Sequence, residues 1–295
     1  MKNMNIMKLV DNFHSEDACR EALEGLRWPD SVTCPRCQSK SISRVEKHHI
    51  FDCNSCRYQF SVTSGTIFHD THLPLRKWFM AMFLIVEAKK GISANQLKRV
   101  LNVSYKTAWY LCHRIRAAMT EEKPRLLSGI VEVDETWIGG KRTNVGHGYR
   151  GNKVAVAGAV QREGGARLQT IPDTTRKTLH EFIRKHTASD TEAIYTDEWP
   201  AYKGIADQDT RHETVNHSKE EWVRGDVHTN SVENVWSLFK RSVVGSYHKV
   251  SVKHLDAYLD ELEWRFNNRK NEYLFRDTLL KLIKSENLPY QALVA

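Results

Sequence analysis

Residues 129–140, GIVEVDETWIGG, are the most informative segment for the fold. Apolar and polar residues alternate along it, which is the pattern of a half-buried β-strand. Asp134 places a charge inside this strand. Since a buried charge is costly unless it is paired or bound to a metal ion, Asp134 is expected to face one or the other.

The segments that follow predict an α/β fold. Two more strands come next, VAVAGAVQ (154–161) and ARLQTIPD (166–173), and a helix at 175–187 leads to the strand EAIYTD (192–197). Three meandering strands followed by strand–helix units predict a mixed sheet with flanking helices. The remaining predicted helices span 231–244, 253–268 and 276–284.

Two further carboxylates lie where a metal site would need them. Asp197 ends a strand, at the edge where the ligand sites of open sheets gather. Glu233 lies near the start of a predicted helix, and Lys240 follows seven residues later along the same edge of its apolar stripe. Together with Asp134, these acids can hold two divalent cations about 3.5–4 Å apart, as phosphodiester chemistry requires. Taken singly, each acid is equally well explained by a salt bridge.

A cysteine-bearing module at 31–62 precedes this region. Cys34 and Cys37 form one Cys-x-x-Cys pair, and Cys53 and Cys56 form a second after 15 intervening residues. Two such pairs complete a tetrahedral site without an open position, which is typical of structural zinc. The intervening residues alternate as in a β-hairpin, so the module is predicted to be a zinc ribbon. Disulfides are the alternative, disfavoured because no secretory segment opens the chain.

The positive charge of the chain is concentrated in one segment. Lys and Arg total 44 against 36 Asp and Glu, a net charge of +8. Residues 72–127 hold 11 of these bases and three acids, which is also +8 (11 − 3), so the rest of the chain balances. A localised basic segment is the pattern expected for binding to a phosphate backbone.

The same segment predicts a helix-turn-helix at 72–120. Ser93 and Ser104 are suited to cap two short helices on either side of a turn at 101–103. A plain helical hairpin is the alternative. In a helix-turn-helix the second helix presents its polar side to DNA. That side is predicted to carry Lys106, Thr107, Tyr110, Arg114 and Arg116.

Several longer motifs, spread over nearly the whole chain, match one family. They are RWPDSVTCPRC (27–37), VDETWIGGK (133–141), YTDEWPAY (195–202), HTNSVENVWSLFKR (228–241), GSYHKVS (245–251) and HLDAYLDELEWRFNNR (254–269). On these motifs the sequence resembles a bacterial insertion-sequence transposase of the type that joins an N-terminal zinc ribbon to a DDE catalytic domain with an RNase H-like fold.

The resemblance implies an enzyme that cuts DNA at transposon ends and joins those ends to a new site. Asp134, Asp197 and Glu233 would be its catalytic triad and would bind two Mg²⁺ or Mn²⁺ ions. Lys240 matches the basic residue that this class places seven positions after the glutamate. The implied partners are double-stranded DNA, as terminal inverted repeats and as target, and a second copy of the chain in the DNA complex.

The sequence leaves open the identity of the third metal ligand and the role of residues 142–152. Asn230 is an alternative third ligand, since related proteins sometimes have Asn at that position, and His228 would be its neighbour. Lys141 is expected to contact DNA, as is the polar, Gly-rich stretch at 142–152, although that stretch is also consistent with an ordinary loop.

The predicted organisation has four parts and no membrane segment. The parts are an N-terminal helix (1–30), the zinc ribbon (31–62), the helix-turn-helix (72–120) and the RNase H-like domain (128–290). The longest uncharged apolar run has nine residues. A membrane span needs about 20, so a cytosolic, nucleoid-associated protein is expected.

Two other functions explain fewer features of the sequence. A DNA-binding regulator would leave the three placed carboxylates unexplained. An RNase H-like nuclease without strand transfer would give no role to two DNA-binding modules.

Overall fold

The computed structural model describes residues 1–139, 153–215 and 223–295. Lys141 and the stretch at 142–152, both expected to contact DNA, lie outside the described residues. Within the described part of the chain, no helix is long and apolar enough to cross a membrane.

The helices and strands are numbered in chain order. The helices are α1 Ile6–Asn12, α2 Glu16–Arg27, α3 Leu75–Glu87, α4 Ala94–Leu101, α5 Tyr105–Met119, α6 Arg176–His186, α7 Asn230–Ser242, α8 Leu255–Asn267, α9 Leu274–Lys284 and α10 Tyr290–Val294. The strands are β1 Ile42–Val45, β2 Ile50–Cys53, β3 Gln59–Phe60, β4 Ile130–Ile138, β5 Val154–Gln161, β6 Ala166–Ile171, β7 Ala193–Asp197 and β8 Arg211–Val215.

The described chain divides into two compact units. The first comprises residues 1–120 together with 268–295, and the second comprises residues 121–267. The catalytic domain predicted at 128–290 therefore differs from the structure at its C-terminal end. The reason is aromatic packing, because Phe275 of α9 stacks on Phe13 with ring centroids 5.8 Å apart, and both belong to the first unit.

The first 30 residues form two helices where one was predicted. The prediction of a single N-terminal helix within residues 1–30 is wrong, because the chain leaves the helical conformation after Asn12 and restarts at Glu16. Ser15 caps the second helix by accepting a hydrogen bond from the backbone N–H of Ala18 at 3.1 Å. A serine in this position satisfies an N–H group that has no partner inside the helix.

The two caps predicted for α4 and α5 are confirmed. The Ser93 hydroxyl accepts from the N–H of Gln96, and the Ser104 hydroxyl accepts from the N–H of Thr107. Between the helices, Asn102 takes a left-handed conformation with φ +49°. Asparagine tolerates this region better than most residues, so the turn is encoded locally.

A five-stranded mixed sheet forms the second unit. Its strand order is β6-β5-β4-β7-β8. The first three strands pair antiparallel, whereas β4–β7 and β7–β8 pair parallel. This arrangement, with α6 on one face and α7 and α8 on the other, confirms the predicted fold class. Strand β8 was not predicted, because RHETV is short, polar and at the edge of the sheet.

One glycine lets α7 lie close to this sheet. Gly158 of β5 is the direct cross-strand partner of Asp134. A Cβ at this position would lie 2.5 Å from Cζ2 of Trp236, well inside van der Waals contact. Since opposite residues of an antiparallel pair point to the same face, Asp134 also faces α7.

Candidate active site and zinc centre

Asp134 and Asp197 lie side by side on adjacent parallel strands. The register pairs Glu132 of β4 with Tyr195 of β7. Two residues further, the same register sets Asp134 level with Asp197, the last residue of its strand. The carboxyl ends of parallel strands are the usual location of ligand sites in open sheets. The sequence indicated such an edge for Asp197, and the strand pairing brings Asp134, which lies inside β4, level with it.

Glu233 reaches this region from α7. An open cleft of about 610 Å³ lies between the strand that carries Asp134 and the helix that carries Glu233 and Lys240. Glu233 and Lys240 are seven residues apart, which is two helical turns, so both point into the cleft. The buried Thr229 fixes one of these groups, because its hydroxyl donates to Glu233 Oε1 at 2.8 Å.

The charge on Asp134 is unfavourable in these surroundings. Burial, together with the negative charges of Glu135, Asp197 and Glu233, raises the pKa of Asp134 to about 7. A bound divalent cation reverses this balance by stabilising the carboxylate form. Oxygen ligands from carboxylates are those that Mg²⁺ and Mn²⁺ prefer. The chemical type of these donors suits such ions, whereas among the described residues the one group of three or more candidate ligands whose donor atoms converge within 4.8 Å is the four cysteines.

Asn230 and His228 have different surroundings from Glu233. Asn230 is exposed at the first position of α7, outside the set of described residues that line the cleft. His228 lies with Nδ1 3.2 Å from Oε1 of Glu132. The structure thus brings Glu233, rather than Asn230, to the cleft that Asp134 lines.

Three residues close to Asp134 were not predicted from the sequence. They are Glu132, Glu135 and Tyr202. Glu132 is fully buried two residues before Asp134 and pairs with Arg162 at 2.9 Å. On the opposite face of β4, Glu135 accepts a hydrogen bond from the hydroxyl of buried Tyr202. Burial raises the pKa of Tyr202 well above its usual value, and the nearby carboxylates add to this effect. The acids of VEVDE (131–135) mark Glu132 and Glu135 as neighbours of Asp134, but they do not indicate the partners of either side chain.

Four cysteine thiols form a separate centre in the first unit. The Sγ atoms of Cys34, Cys37, Cys53 and Cys56 all lie within 4.8 Å of one another. Two of the separations are 3.7 Å, for Cys34–Cys56, and 3.5 Å, for Cys37–Cys53. Zn–S bonds of about 2.3 Å in a tetrahedron give S–S edges of about 3.8 Å. The cluster therefore fits a structural zinc ion, and the disulfide alternative is wrong because all these cysteines are free.

The two Cys-x-x-Cys loops have the same backbone shape. In each, the residue after the second cysteine takes a left-handed conformation, with φ +61° at Gln38 and +60° at Arg57. The N–H of each also bonds to the carbonyl of the first cysteine in its pair, Cys34 or Cys53. Two matching loops present their thiols to one point, which explains why residues distant in sequence share a site.

The predicted polar side of α5 is only partly exposed. Arg114 and Arg116 are 4% and 2% exposed, so the prediction that they lie on that side is wrong. Arg114 donates to the carbonyl of His69 at 2.8 Å and to Oδ1 of Asn287 at 2.9 Å. Burial lowers the pKa of this arginine. Its charge is satisfied inside the unit and is not presented to solvent.

The other predicted DNA contacts on α5 differ among themselves. The Tyr110 hydroxyl donates to the carbonyl of Leu288, and the Thr107 hydroxyl pairs with Ser104 in the helix cap. Lys106 is exposed, with Nζ 4.3 Å from the centre of the Tyr290 ring. The exposed bases nearest to it in sequence are Lys98 and Arg99 of α4.

Both units match known families. The transposase zinc-ribbon domain matches residues 14–59, and the ISXO2-like transposase domain matches residues 126–267. The chain belongs to the ISXO2-like transposase family. The second match ends at the last residue of the second unit. The resemblance predicted from the sequence motifs is confirmed, as is the zinc ribbon, and the protein is a DNA transposase.

Two relatives support the assignment. This transposase is 28% identical over 278 residues to an uncharacterized protein in transposable element ISH50 of Halobacterium salinarum, covering 88% of this chain and 93% of that protein. It is 30% identical over 98 residues to an uncharacterized transposase-like protein of Haemophilus influenzae, covering 33% of this chain and 77% of that protein.

Solved structures resemble the transposase more weakly. A chain of the simian T-cell lymphotropic virus intasome in complex with PP2A regulatory subunit B56 gamma is 16% identical, with a TM-score of 0.31, covering 67% of this chain and 72% of that chain. A chain of the Mos1 transposase paired-end complex with left transposon end is 14% identical, with a TM-score of 0.27, covering 71% and 80% respectively.

Proposed function

We propose that this transposase cuts DNA at the ends of its element and joins those ends to target DNA. The reaction takes place at the cleft that Asp134 and Glu233 line, with Asp197 of the neighbouring strand as the third acid and two divalent cations bound. The observation that carries this proposal is the concentration of acids around Asp134, whose pKa rises to about 7 through burial and neighbouring negative charge. Such a cluster is unfavourable until cations neutralise it.

Each residue of the cleft has a definite part in this chemistry. The metal ligands are carboxylate oxygens of Asp134 in the middle of β4, of Asp197 at the end of β7, and of Glu233, which the Thr229 hydroxyl holds. When bound, two such ions activate the attacking oxygen and stabilise the leaving 3′-oxygen in an in-line displacement. Lys240 lines the same cleft, and its ammonium group holds a DNA phosphate as a point charge.

Cleavage and joining use the same site with a different nucleophile. In cleavage, the oxygen of water attacks phosphorus, and the departing 3′-oxygen becomes a 3′-hydroxyl. In joining, that 3′-hydroxyl attacks a target phosphate, and a target 3′-oxygen departs in turn. The number of phosphodiester bonds is conserved in the second step, so no further energy source is required. Because water or the 3′-hydroxyl is itself the attacking nucleophile, no covalent protein intermediate forms.

The experiment that tests this function uses the element's own end. A labelled duplex that carries this end and its flanking DNA is incubated with the protein, Mg²⁺ and a supercoiled target plasmid. We expect a nick at the end and then a labelled product joined to the plasmid. Cleavage without joining would favour a nuclease, and binding without cleavage would favour a regulator. Two copies of the chain are expected in the complex, one bound to each end of the element.

The exposed bases of α4, together with Lys106, are proposed to bind the phosphate backbone of the ends. Lys98 and Arg99 are both exposed in the basic segment, whereas Arg114 and Arg116 are buried. The affinity for DNA falls with salt in proportion to the number of phosphates that the protein neutralises. The salt dependence of binding therefore reports whether these side chains contact DNA.

Neutralising two α4 charges is expected to flatten this dependence. For Lys98→Gln combined with Arg99→Gln, the slope of log K against log salt should fall by about 0.9 per lost contact. Filter binding of the labelled end from low to moderate salt measures this slope. Lys177→Gln with Arg184→Gln, which removes the same charge from exposed positions of α6, should leave the slope unchanged. Equal effects from both pairs would refute a specific role for α4.

A further inference from the structure

A buried carboxylate ties the start of α7 to the strand that carries Asp134. The Glu132 side chain is 0% exposed and precedes Asp134 by two residues, on the same face of β4. Its Oε2 accepts hydrogen bonds from the backbone N–H groups of Ser231 at 2.6 Å and Val232 at 3.2 Å. Its Oε1 accepts from the Ser231 hydroxyl at 3.0 Å. One side chain thus bonds repeatedly to the first turn of the helix.

These contacts take the place of the helix's own cap. The first N–H groups of any helix have no partner within it and must find one elsewhere. The N-cap residue Thr229 makes no side-chain cap hydrogen bond; its hydroxyl donates instead to Oε1 of Glu233 at 2.8 Å. Because Glu132 satisfies the N–H groups from the neighbouring strand, the Thr229 hydroxyl is available to orient Glu233.

The charge of Glu132 is compensated on its other side. Arg162 Nε donates to Oε1 at 2.9 Å, and His228 Nδ1 lies 3.2 Å from the same oxygen. Arg162 Nη2 also donates to the carbonyl of His228 at 3.3 Å, which fixes the residue just before the cap. A negative charge at a helix N-terminus is favourable in itself. A buried carboxylate with this many partners is held in one position.

We propose that Glu132 is a positioning residue for the third metal ligand. Asp134 is on β4, Glu233 is in the first turn of α7, and Glu132 bonds the one element to the other. It thereby sets the separation between the two ligands. Groups that orient metal ligands commonly control metal affinity in this way. The inference rests on the proposed two-metal function but concerns a residue outside the ligand set.

Substitution by glutamine tests this role with two measurements besides activity. Glu132→Gln keeps the shape but removes the charge and places an amide against the helix N–H groups. We expect faster amide hydrogen exchange in a peptide covering 229–235, measured by mass spectrometry. We also expect Mn²⁺ binding, followed by the paramagnetic resonance of the free ion, to weaken by about 10- to 100-fold. The Mg²⁺ concentration for half-maximal cleavage should rise in parallel, with a smaller change in kcat at saturating metal.

A matched control is available in the same unit. Glu263 of α8 also accepts from a backbone N–H, that of Leu168 at 2.8 Å, and pairs with Arg167 at 2.8 Å. It bonds α8 to β6 and is absent from the residues that line the cleft. Glu263→Gln should leave both the exchange of 229–235 and the affinity for Mn²⁺ unchanged. Equal weakening of Mn²⁺ binding by both variants would overturn the proposal.

A second variant keeps the test decisive if Glu132→Gln does not fold. Thr229→Val preserves shape and leaves Glu132 in place, but it removes the hydroxyl that orients Glu233. It should weaken Mn²⁺ binding, and Thr229→Ser should restore it. Wild-type Mn²⁺ affinity in folded Glu132→Gln, or in Thr229→Val, would refute the positioning role. If Asp134→Ala also binds Mn²⁺ normally, the two-metal function itself fails, whereas the exchange measurement still reports on the Glu132 contact.

Discussion

Replacing Asp134 or Asp197 by alanine, or Glu233 by glutamine, is expected to abolish strand cleavage while binding to the element's end persists. Each change removes a negative ligand from a site that must hold two dications. Metal ions contribute several kcal/mol of transition-state stabilisation, so the cleavage rate should fall by about a thousandfold or more. The measurement is cleavage and binding of the same labelled end, side by side, in Mg²⁺ and in Mn²⁺.

Two companion variants make this result specific. Asn230→Ala should reduce cleavage without eliminating it, because Asn230 is exposed outside the described residues that line the cleft and its neutral amide supplies no charge against the ions. Glu181→Gln, which neutralises an exposed acid of α6, should cleave normally. If Glu233→Gln cleaves normally and Asn230→Ala is inactive, the triad is Asp-Asp-Asn and the assignment of Glu233 is wrong.

Replacing Cys34 by serine is expected to release zinc and unfold the ribbon. Structural zinc contributes about 10–16 kcal/mol of binding free energy in small metal-dependent domains, far more than such a small core supplies. The variant should contain no zinc by elemental analysis, should lose amide protection over residues 31–62, and should bind the element's end more weakly. The second unit, residues 121–267, should stay protected because its sheet has its own core.

A cysteine outside the cluster provides the control for this prediction. Cys19 is fully buried in α2, and burial raises the pKa of its thiol to about 12, so it remains a neutral thiol. The Cys19→Ser protein should still contain zinc in the four-cysteine cluster, even if the protein loses some stability. A Cys34→Ser protein that lacks zinc yet shows normal protection over 31–62 would contradict the structural role of the metal.

Much of the fold was predictable because its signals are local. The alternation in β4, the run of small apolar residues in β5 and the capping serines of α4 and α5 all act between near neighbours, and the structure confirms them. Strand β8 escaped prediction because an edge strand with few buried residues carries little apolar pattern. The split between α1 and α2 was missed because the polar residues around Ser15 interrupt the helix without glycine or proline.

The sequence suggested the acids of the candidate site, but it did not indicate the side chains that hold those acids in place. Asp134, Asp197 and Glu233 could be chosen because each stands at a strand or helix position that metal chemistry uses. Glu132 could not, since its partner Ser231 is 99 residues away and nothing near Glu132 in sequence indicates that contact. The exposure of Arg114 was predicted wrongly for the same reason. Its guanidinium donates a hydrogen bond to Asn287, which lies 173 residues later in the chain.

Residue types and their spacing within one strand, one helix or one loop were enough to indicate the family, the zinc ligands, the caps of α4 and α5, and three candidate acids. The three-dimensional packing was needed to show which bases stay exposed, which unit the last helices join, and which side chain holds α7 against β4. Those outcomes depend on contacts between residues that are far apart in sequence. A buried charge is stable only where such contacts supply its hydrogen-bond partners.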